Sequence, residues 1–297
     1  MKVFVTGATG FIGSAIVKEL LQAGHEPIGM VRSEEGAKSL RSVGADVHFG
    51  NLYDVESICN GAAAADAVIH TAFNHDDFTV FKDSCENDRR IIEALGEVYA
   101  GGQRPIVVTS ALGLLPRGRL VYENDSPASG PIPRIATEQA VDAVAALGVR
   151  ISVVRLSPTV HGKGDHGFIS RLINIAREKG IAVYQDEVPN YWPAVHRQDA
   201  AKLFLLALEK TAPAGTRYHA AAEQGVPFKD ITIAIGKGLG IPIVVKSIED
   251  VAAHFGAFAH FAAIDVQASS DQTRSLLGWQ PLGPDLITDI GSVYLDS

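Results

Sequence analysis

Val3-Phe4-Val5-Thr6-Gly7-Ala8-Thr9-Gly10-Phe11-Ile12-Gly13 stands almost at the start of the chain, and its reading decides the fold. The apolar, β-branched run before Gly7 has the composition of a buried strand. Three glycines at G-x-x-G-x-x-G spacing follow, and an amphipathic run from Phe11 to about Ala23 continues as a helix. Strand, tight turn and helix in that order place the first helical N–H groups, which lack intrahelical partners, at the turn. The helix dipole there favours an anion such as a pyrophosphate. Side chains at Gly7 and Gly10 would obstruct the turn and the approach of the phosphates, and one at Gly13 would push helix and strand apart. Thr9, Phe11 and Ile12 complete the turn as candidate cofactor contacts.

Composition narrows the class of partner. The 297 residues are 46% hydrophobic and 20% charged, with a formal net charge of −8, a pI of 5.7 and a mean hydropathy of +0.12. Such a chain buries a large core, as one domain or as a domain plus a lobe. No Lys/Arg stripe is present, so nucleic acid and anionic membrane are not expected partners. Cys59 and Cys85 form no C-x-x-C pair and no disulfide framework. No apolar run approaches the ~20 residues of a membrane span, and the N-terminus runs directly into the glycine motif without a signal peptide. A cytoplasmic setting is the expectation.

Outward from the motif, strands and helices alternate. Strands are expected at Glu26–Arg32, Ala45–Phe49, Ala67–His70, Pro105–Ser110 and Arg150–Leu156, with helices between them that include Phe81–Tyr99 and Ile135–Leu147. Nearly continuous apolar strands between amphipathic helices imply an α/β, Rossmann-type doubly wound parallel sheet covered on both faces. Ligands on such sheets lie beyond the carboxyl ends of the strands, where the strand order reverses. The second strand therefore selects the cofactor. It ends in Arg32-Ser33 with no acid to grip ribose hydroxyls, whereas a guanidinium and a hydroxyl suit a 2′-phosphate. NADP is preferred over NAD on this reading; the bland alternative is that Arg32 is a solvated surface residue.

Thr6-Gly7-Ala8-Thr9-Gly10-Phe11-Ile12-Gly13 resembles the cofactor motif of the extended short-chain dehydrogenase/reductase superfamily, which includes NAD-dependent epimerases and dehydratases. Further segments resemble that family in its own order: Val68-Ile69-His70-Thr71-Ala72, Arg155-Leu156-Ser157-Pro158-Thr159-Val160-His161-Gly162, Val195-His196-Arg197-Gln198-Asp199 and Leu277-Gly278-Trp279-Gln280-Pro281. The resemblance implies that Asn51 and Leu52 contact the adenine. It places Thr71, Ala72 and Phe73 at the middle of the cofactor, and Ser157, Pro158 and Val160 on the nicotinamide side.

The catalytic signature departs from that pattern. The family uses a Ser or Thr after the fifth strand and a Tyr-x-x-x-Lys on the next helix, in which the ammonium lowers the tyrosine pKa for proton exchange. Ser110 matches the first position and would hold a substrate oxygen. Aligning Glu138 puts Gly130 at the tyrosine and Arg134 at the lysine. Glycine carries no acid, and a guanidinium stays charged but is suited to binding cofactor ribose or phosphate. This resembles the atypical branch of the superfamily. Tyr122, His75 or a water remain as proton donors, against the plainer reading of Tyr122 and His75 as surface loop residues. His75 lies in the run Phe73-Asn74-His75-Asp76-Asp77-Phe78. No histidine pair has metal-ligand spacing, so no metal is expected.

The remaining segments read as a substrate lobe, with Tyr184–Pro193 a loop whose aromatics either wall a pocket or pack the lobe. Residues 1–160 are expected to form the dinucleotide-binding domain, with 194–220 returning to it. Residues 161–193 and 221–297 then form a small, discontinuous C-terminal lobe. The function expected is an NADP-dependent oxidoreductase of the atypical short-chain type, acting on a small carbonyl or alcohol. The alternatives are a catalytically silent NADP sensor, or an enzyme like the sugar-nucleotide epimerases and dehydratases. By analogy alone, Phe81–Tyr99 and Ile135–Leu147 favour a homodimer.

Overall fold

The computed structural model describes residues 1–75 and 78–295. The chain begins β1 (Lys2–Thr6), α1 (Phe11–Gln22), β2 (Glu26–Val31), α2 (Glu34–Ser42), β3 (Asp46–Phe49), α3 (Val55–Ala63) and β4 (Ala67–His70). It continues α4 (Phe81–Tyr99), β5 (Ile106–Ala111), β6 (Leu120–Val121), α5 (Ile135–Ala146), β7 (Ile151–Leu156), β8 (Thr159–His161), α6 (Phe168–Lys179) and β9 (Ala182–Tyr184). Then come β10 (Tyr191–His196), α7 (Arg197–Glu209), β11 (Thr216–Ala220), β12 (Glu223–Pro227) and α8 (Phe228–Leu239). The chain closes with β13 (Ile243–Val245), α9 (Ile248–Phe255), α10 (Ala259–Ala262), β14 (Gln267–Ala268), α11 (Asp271–Leu277) and α12 (Leu286–Asp289).

Seven strands form one parallel sheet in the order β11-β7-β5-β4-β1-β2-β3. The order reverses between β1 and β4, which puts the topological crevice directly over the glycine turn. Alternate residues of β1 feed two layers. Val3 and Val5 pack with Ile16 and Leu20 of α1 and Phe204 and Leu208 of α7, whereas Phe4 packs with Ile58, Ile91, Leu95 and Val141 of α3, α4 and α5. Enclosing each such side chain contributes about 1.5–3 kcal/mol, so the strand under the turn is firmly held from both faces. No helix among the described residues is long and apolar enough to cross a membrane.

A third core forms the lobe around Trp192, whose ring lies 5.8 Å from Phe168 and 5.1 Å from Phe228. Trp192 is fully enclosed, so it packs the lobe rather than walling a pocket. The expected loop Tyr184–Pro193 is in part sheet, because Tyr184 closes β9 and Tyr191–His196 forms β10 between β8 and β12. Pro193 hid this strand by breaking its pattern. The register shifts between Trp192 and Ala194, where proline lacks an N–H, and the Pro193 carbonyl accepts from the Thr159 hydroxyl at 2.6 Å.

Candidate functional site

The glycine turn forms a cradle that only glycine fits. Gly7 has φ +70°, and a Cβ there would lie 2.8 Å from Thr71 Oγ1 and 2.9 Å from the Ala72 nitrogen. A Cβ on Gly13 would come within 2.0 Å of the Gly7 carbonyl oxygen, so α1 leans on the turn at backbone distance. Gly10 N–H donates to Gly7 O at 2.9 Å, and no side chain caps α1. The N–H groups of the first turn, at Phe11, Ile12 and Gly13, therefore remain available to an anion. The cradle, the open helix end and Thr9, exposed beside Gly36 of α2, fit the diphosphate and ribose of a dinucleotide.

A buried hydrogen-bond chain ties this cradle to α5. Thr6 Oγ1 accepts from the N–H groups of Thr71 and Ala72, each at 3.2 Å, and so donates its own proton to His70 Nδ1 at 2.7 Å. That direction leaves the His70 proton on Nε2, which donates to Asp88 Oδ1 at 3.1 Å. Asp88 Oδ2 accepts from Thr137 Oγ1 at 2.5 Å and from Arg134 Nη1 at 2.7 Å. The Asp88 side chain is 3% exposed and that of Arg134 11%. Burial alone would raise the Asp88 carboxyl, but the Arg134 charge and the bonds from His70 and Thr137 outweigh it and hold it below the usual range. Arg134 also donates to the Thr109 carbonyl at 3.1 Å and lies 3.9 Å over the Phe73 ring. The guanidinium at the lysine position is thus fixed on three sides.

The other expected cofactor residues spread around this centre. Arg32 is exposed, directly follows β2 and joins no ion pair among the described residues. Ser33 caps α2 by accepting from the Gly36 N–H at 3.2 Å. Asn51 spends its carbonyl oxygen on the Tyr53 N–H, and the Leu52 carbonyl accepts from Asn87. Leu52, Ala72, Phe73, Asn87 and Asp88 line a shallow cleft beside the turn. Ser157 is buried and donates to the Ala220 carbonyl at 2.6 Å, pinning β7 to β11, while Pro158 and Val160 beyond it are half-buried.

The expected catalytic residues fall differently. Ser110 is 2% exposed and pairs in register with Arg155, so both side chains share the face covered by α5. There Arg155 meets the Glu138 carboxylate at 2.9 and 3.1 Å. The Ser110 hydroxyl helps hold that carboxylate ionised, although no hydrogen bond of good geometry closes between them. The structure thus places the Ser110 hydroxyl in an enclosed position beside the Arg155–Glu138 ion pair. Gly130 has φ +141°, a conformation that tyrosine rarely adopts, with open space where its Cβ would be. The departure from the family pattern is therefore in the backbone as well as the side chain. Tyr122 is 50% exposed, and its N–H donates to Asp125, which is salt-bridged to Arg119. His75 is exposed with its ring 4.8 Å from that of Phe73, on the residue that also carries Arg134. Asp76 and Asp77 of that run lie outside the described residues. Among the described residues no cluster of His, Cys, Asp or Glu side chains is arranged for a metal ion.

Sequence reasoning passed over Thr6, His70, Asp88 and Thr137. The available signal was Asp88 itself, an acid inside the apolar stripe Cys85, Ile91, Ile92 and Leu95 of α4. It also gave no role to a second buried constellation, His161 bonded to Asp289 at 2.6 Å and Asp165 to Tyr294 at 2.8 Å, which clasps the last helical turns to β8.

Comparison with known proteins gives this geometry a context. The model of the NAD dependent epimerase/dehydratase family matches residues 3–221. An uncharacterized protein of Schizosaccharomyces pombe is 48% identical over 98% of this chain and 99% of its own. The 2-alkyl-3-oxoalkanoate reductase of Stenotrophomonas maltophilia is 26% identical over 84% of this chain and 78% of its own. The crystal structure of UDP-glucuronic acid 4-epimerase from Bacillus cereus, with UDP-glucuronic acid and NAD, superposes with a TM-score of 0.76 at 16% identity, covering 100% of this chain and 98% of that one. This last likeness is one of fold.

Proposed function

The chain belongs to the NAD dependent epimerase/dehydratase family of the extended short-chain dehydrogenases, and from that premise we propose that it is an NADP-dependent reductase of small carbonyl compounds. The observation that carries the reading is the pairing of an intact glycine cradle with a free cation, not an acid, at the end of β2. Arg32, Ser33 and the first turn of α2 suit a 2′-phosphate through charge-assisted bonds. The similarity to a 2-alkyl-3-oxoalkanoate reductase supports a ketone as substrate.

The chemistry expected of a bound nicotinamide is hydride exchange with a carbonyl carbon. Phe73 and Ala72 shape the wall of the cleft, and Arg134, held by Asp88 and the Thr109 carbonyl, supplies a fixed positive charge beside it. His75, exposed next to Phe73, is the proton donor we favour, because an imidazole exchanges protons near neutral pH and its ring packs beside Phe73, which lines the cleft. Epimerase and dehydratase chemistry is disfavoured by Gly130. The test is NADPH oxidation, followed by absorbance, across a panel of aldehydes and ketones. Turnover of a panel member that falls at least tenfold in His75→Ala supports the reading. Tight NADPH binding with no turnover across the panel favours the second reading, a cofactor-binding sensor, which Gly130 and its backbone conformation support.

A further inference from the structure

Arg197 is the first residue of α7, and α7 packs along α1 with both N-termini at the carboxyl end of the sheet. Its guanidinium sits at the mouth of the glycine turn. Nη2 donates to Ser14 Oγ on the first turn of α1 at 2.6 Å, Nη1 donates to the Lys163 carbonyl at 3.3 Å, and Cζ lies 4.8 Å from the centre of the Phe11 ring. Nε is buried with no partner, and no carboxylate pairs with this guanidinium among the described residues. The acids in the adjoining segments are committed elsewhere. Asp165 accepts from the Gly167 N–H and the Tyr294 hydroxyl, and Asp199 accepts from the N–H groups of Leu282 and Gly283.

This placement is electrostatically incomplete. A partly desolvated cation without a counter-charge is costly, and here it stands beside the positive ends of two helices, which disfavour a cation. Lys163, exposed in the same loop, and His166, its ring 6.1 Å from that of Phe11, add cationic capacity to the same mouth. An anion bound against the first turn of α1 would balance all of these groups.

We propose that Arg197 is the counter-cation for the diphosphate of the bound dinucleotide, so that the start of α7 and the loop at 162–167 complete an anion site begun by the glycine turn. The proposal rests on the cofactor reading above and deepens it. Arg197 serves the diphosphate common to NAD and NADP, whereas Arg32 serves the 2′-phosphate of NADP alone.

The test is calorimetric titration of NADPH, NADH and ADP-ribose, with adenosine 2′-monophosphate as the probe lacking a diphosphate. Arg197→Gln is expected to weaken all three diphosphate probes by about 10- to 100-fold, the range of a lost charge-assisted bond. It leaves the monophosphate unchanged and makes the salt dependence of binding shallower. Arg197→Lys, which keeps the charge, is expected to retain most of the affinity and guards against a fold defect in the first variant. Diphosphate affinity that is unchanged in Arg197→Gln overturns the inference. So does an equal loss for the monophosphate, or a lysine variant as weak as the glutamine one. A wild-type protein that binds none of the dinucleotides overturns the cofactor reading itself, an outcome separate from tight wild-type binding that ignores Arg197.

Discussion

Replacing Asp88 by Asn probes the chain of bonds that links the cradle to Arg134. The change is isosteric, so it opens no cavity, but it removes the only carboxylate that, among the described residues, is bonded to a guanidinium whose side chain is 11% exposed. Breaking a buried ion pair by neutralising one partner costs about 3–5 kcal/mol, because the remaining charge stays desolvated. Asn keeps one acceptor for Arg134 or His70, so the lower end, about 3 kcal/mol, is expected. At about 2 °C per kcal/mol for a chain of this size, Tm would fall by roughly 6 °C. The assay is denaturant unfolding at pH 7 with linear extrapolation. Adding Arg134→Met removes the stranded charge and should recover at least about 2 kcal/mol, so the two changes are not additive. The pH dependence has a defined sign. The folded Asp88 pKa is held below its ordinary value, so its contribution is fully present above an unfolded pKa of about 3.9 and is lost as pH falls through the folded pKa. A single-variant cost under about 1 kcal/mol, or simple additivity in the double variant, would refute the reasoning.

Three further outcomes follow from particular contacts. Burial and then the Arg155 charge push His219 down to about 4. Because the unfolded chain binds this proton near pH 6.5, stability is complete above that pH and falls towards pH 4 by about 3 kcal/mol; His219→Gln should flatten that slope in unfolding measured against pH. Gly13→Ala drives a methyl to within 2.0 Å of a backbone oxygen and should cost more than the ~1–3 kcal/mol of ordinary overpacking; unfolding within 0.5 kcal/mol of wild type, about the size of a neutral surface change, would show the cradle to be wrong. Arg32→Asp should weaken NADPH by at least about tenfold and leave NADH nearly unchanged in calorimetry, since only the former carries the 2′-phosphate; equal losses would remove Arg32 from that role.

The sheet was legible because its strands are buried on both faces and its helices keep one apolar stripe, so period and punctuation marked β1, α1, β4 and α4 within a residue or two. The glycine turn was legible for a similar reason: Gly7 and Gly13 are needed for a left-handed backbone and a backbone contact that no other residue supplies. The three-residue strands β8, β9 and β13 were not legible, since their pairing depends on partners 35 to 61 residues away rather than on their own pattern. Ser110 looked catalytic from its position after a strand, but the face it points to is set by its register with Arg155. Asp88 and Arg197 are the opposite case. Each is a charge in a segment otherwise read as packing, and only the fold shows what surrounds it.

The proposed activity requires that the cradle take a dinucleotide with a 2′-phosphate. Calorimetric titration of the wild-type protein with NADPH and with NADH tests that directly. Saturable binding of both is expected, with NADPH at least about tenfold tighter, the equivalent of about 1.4 kcal/mol. No binding of either, or a preference for NADH, would contradict it.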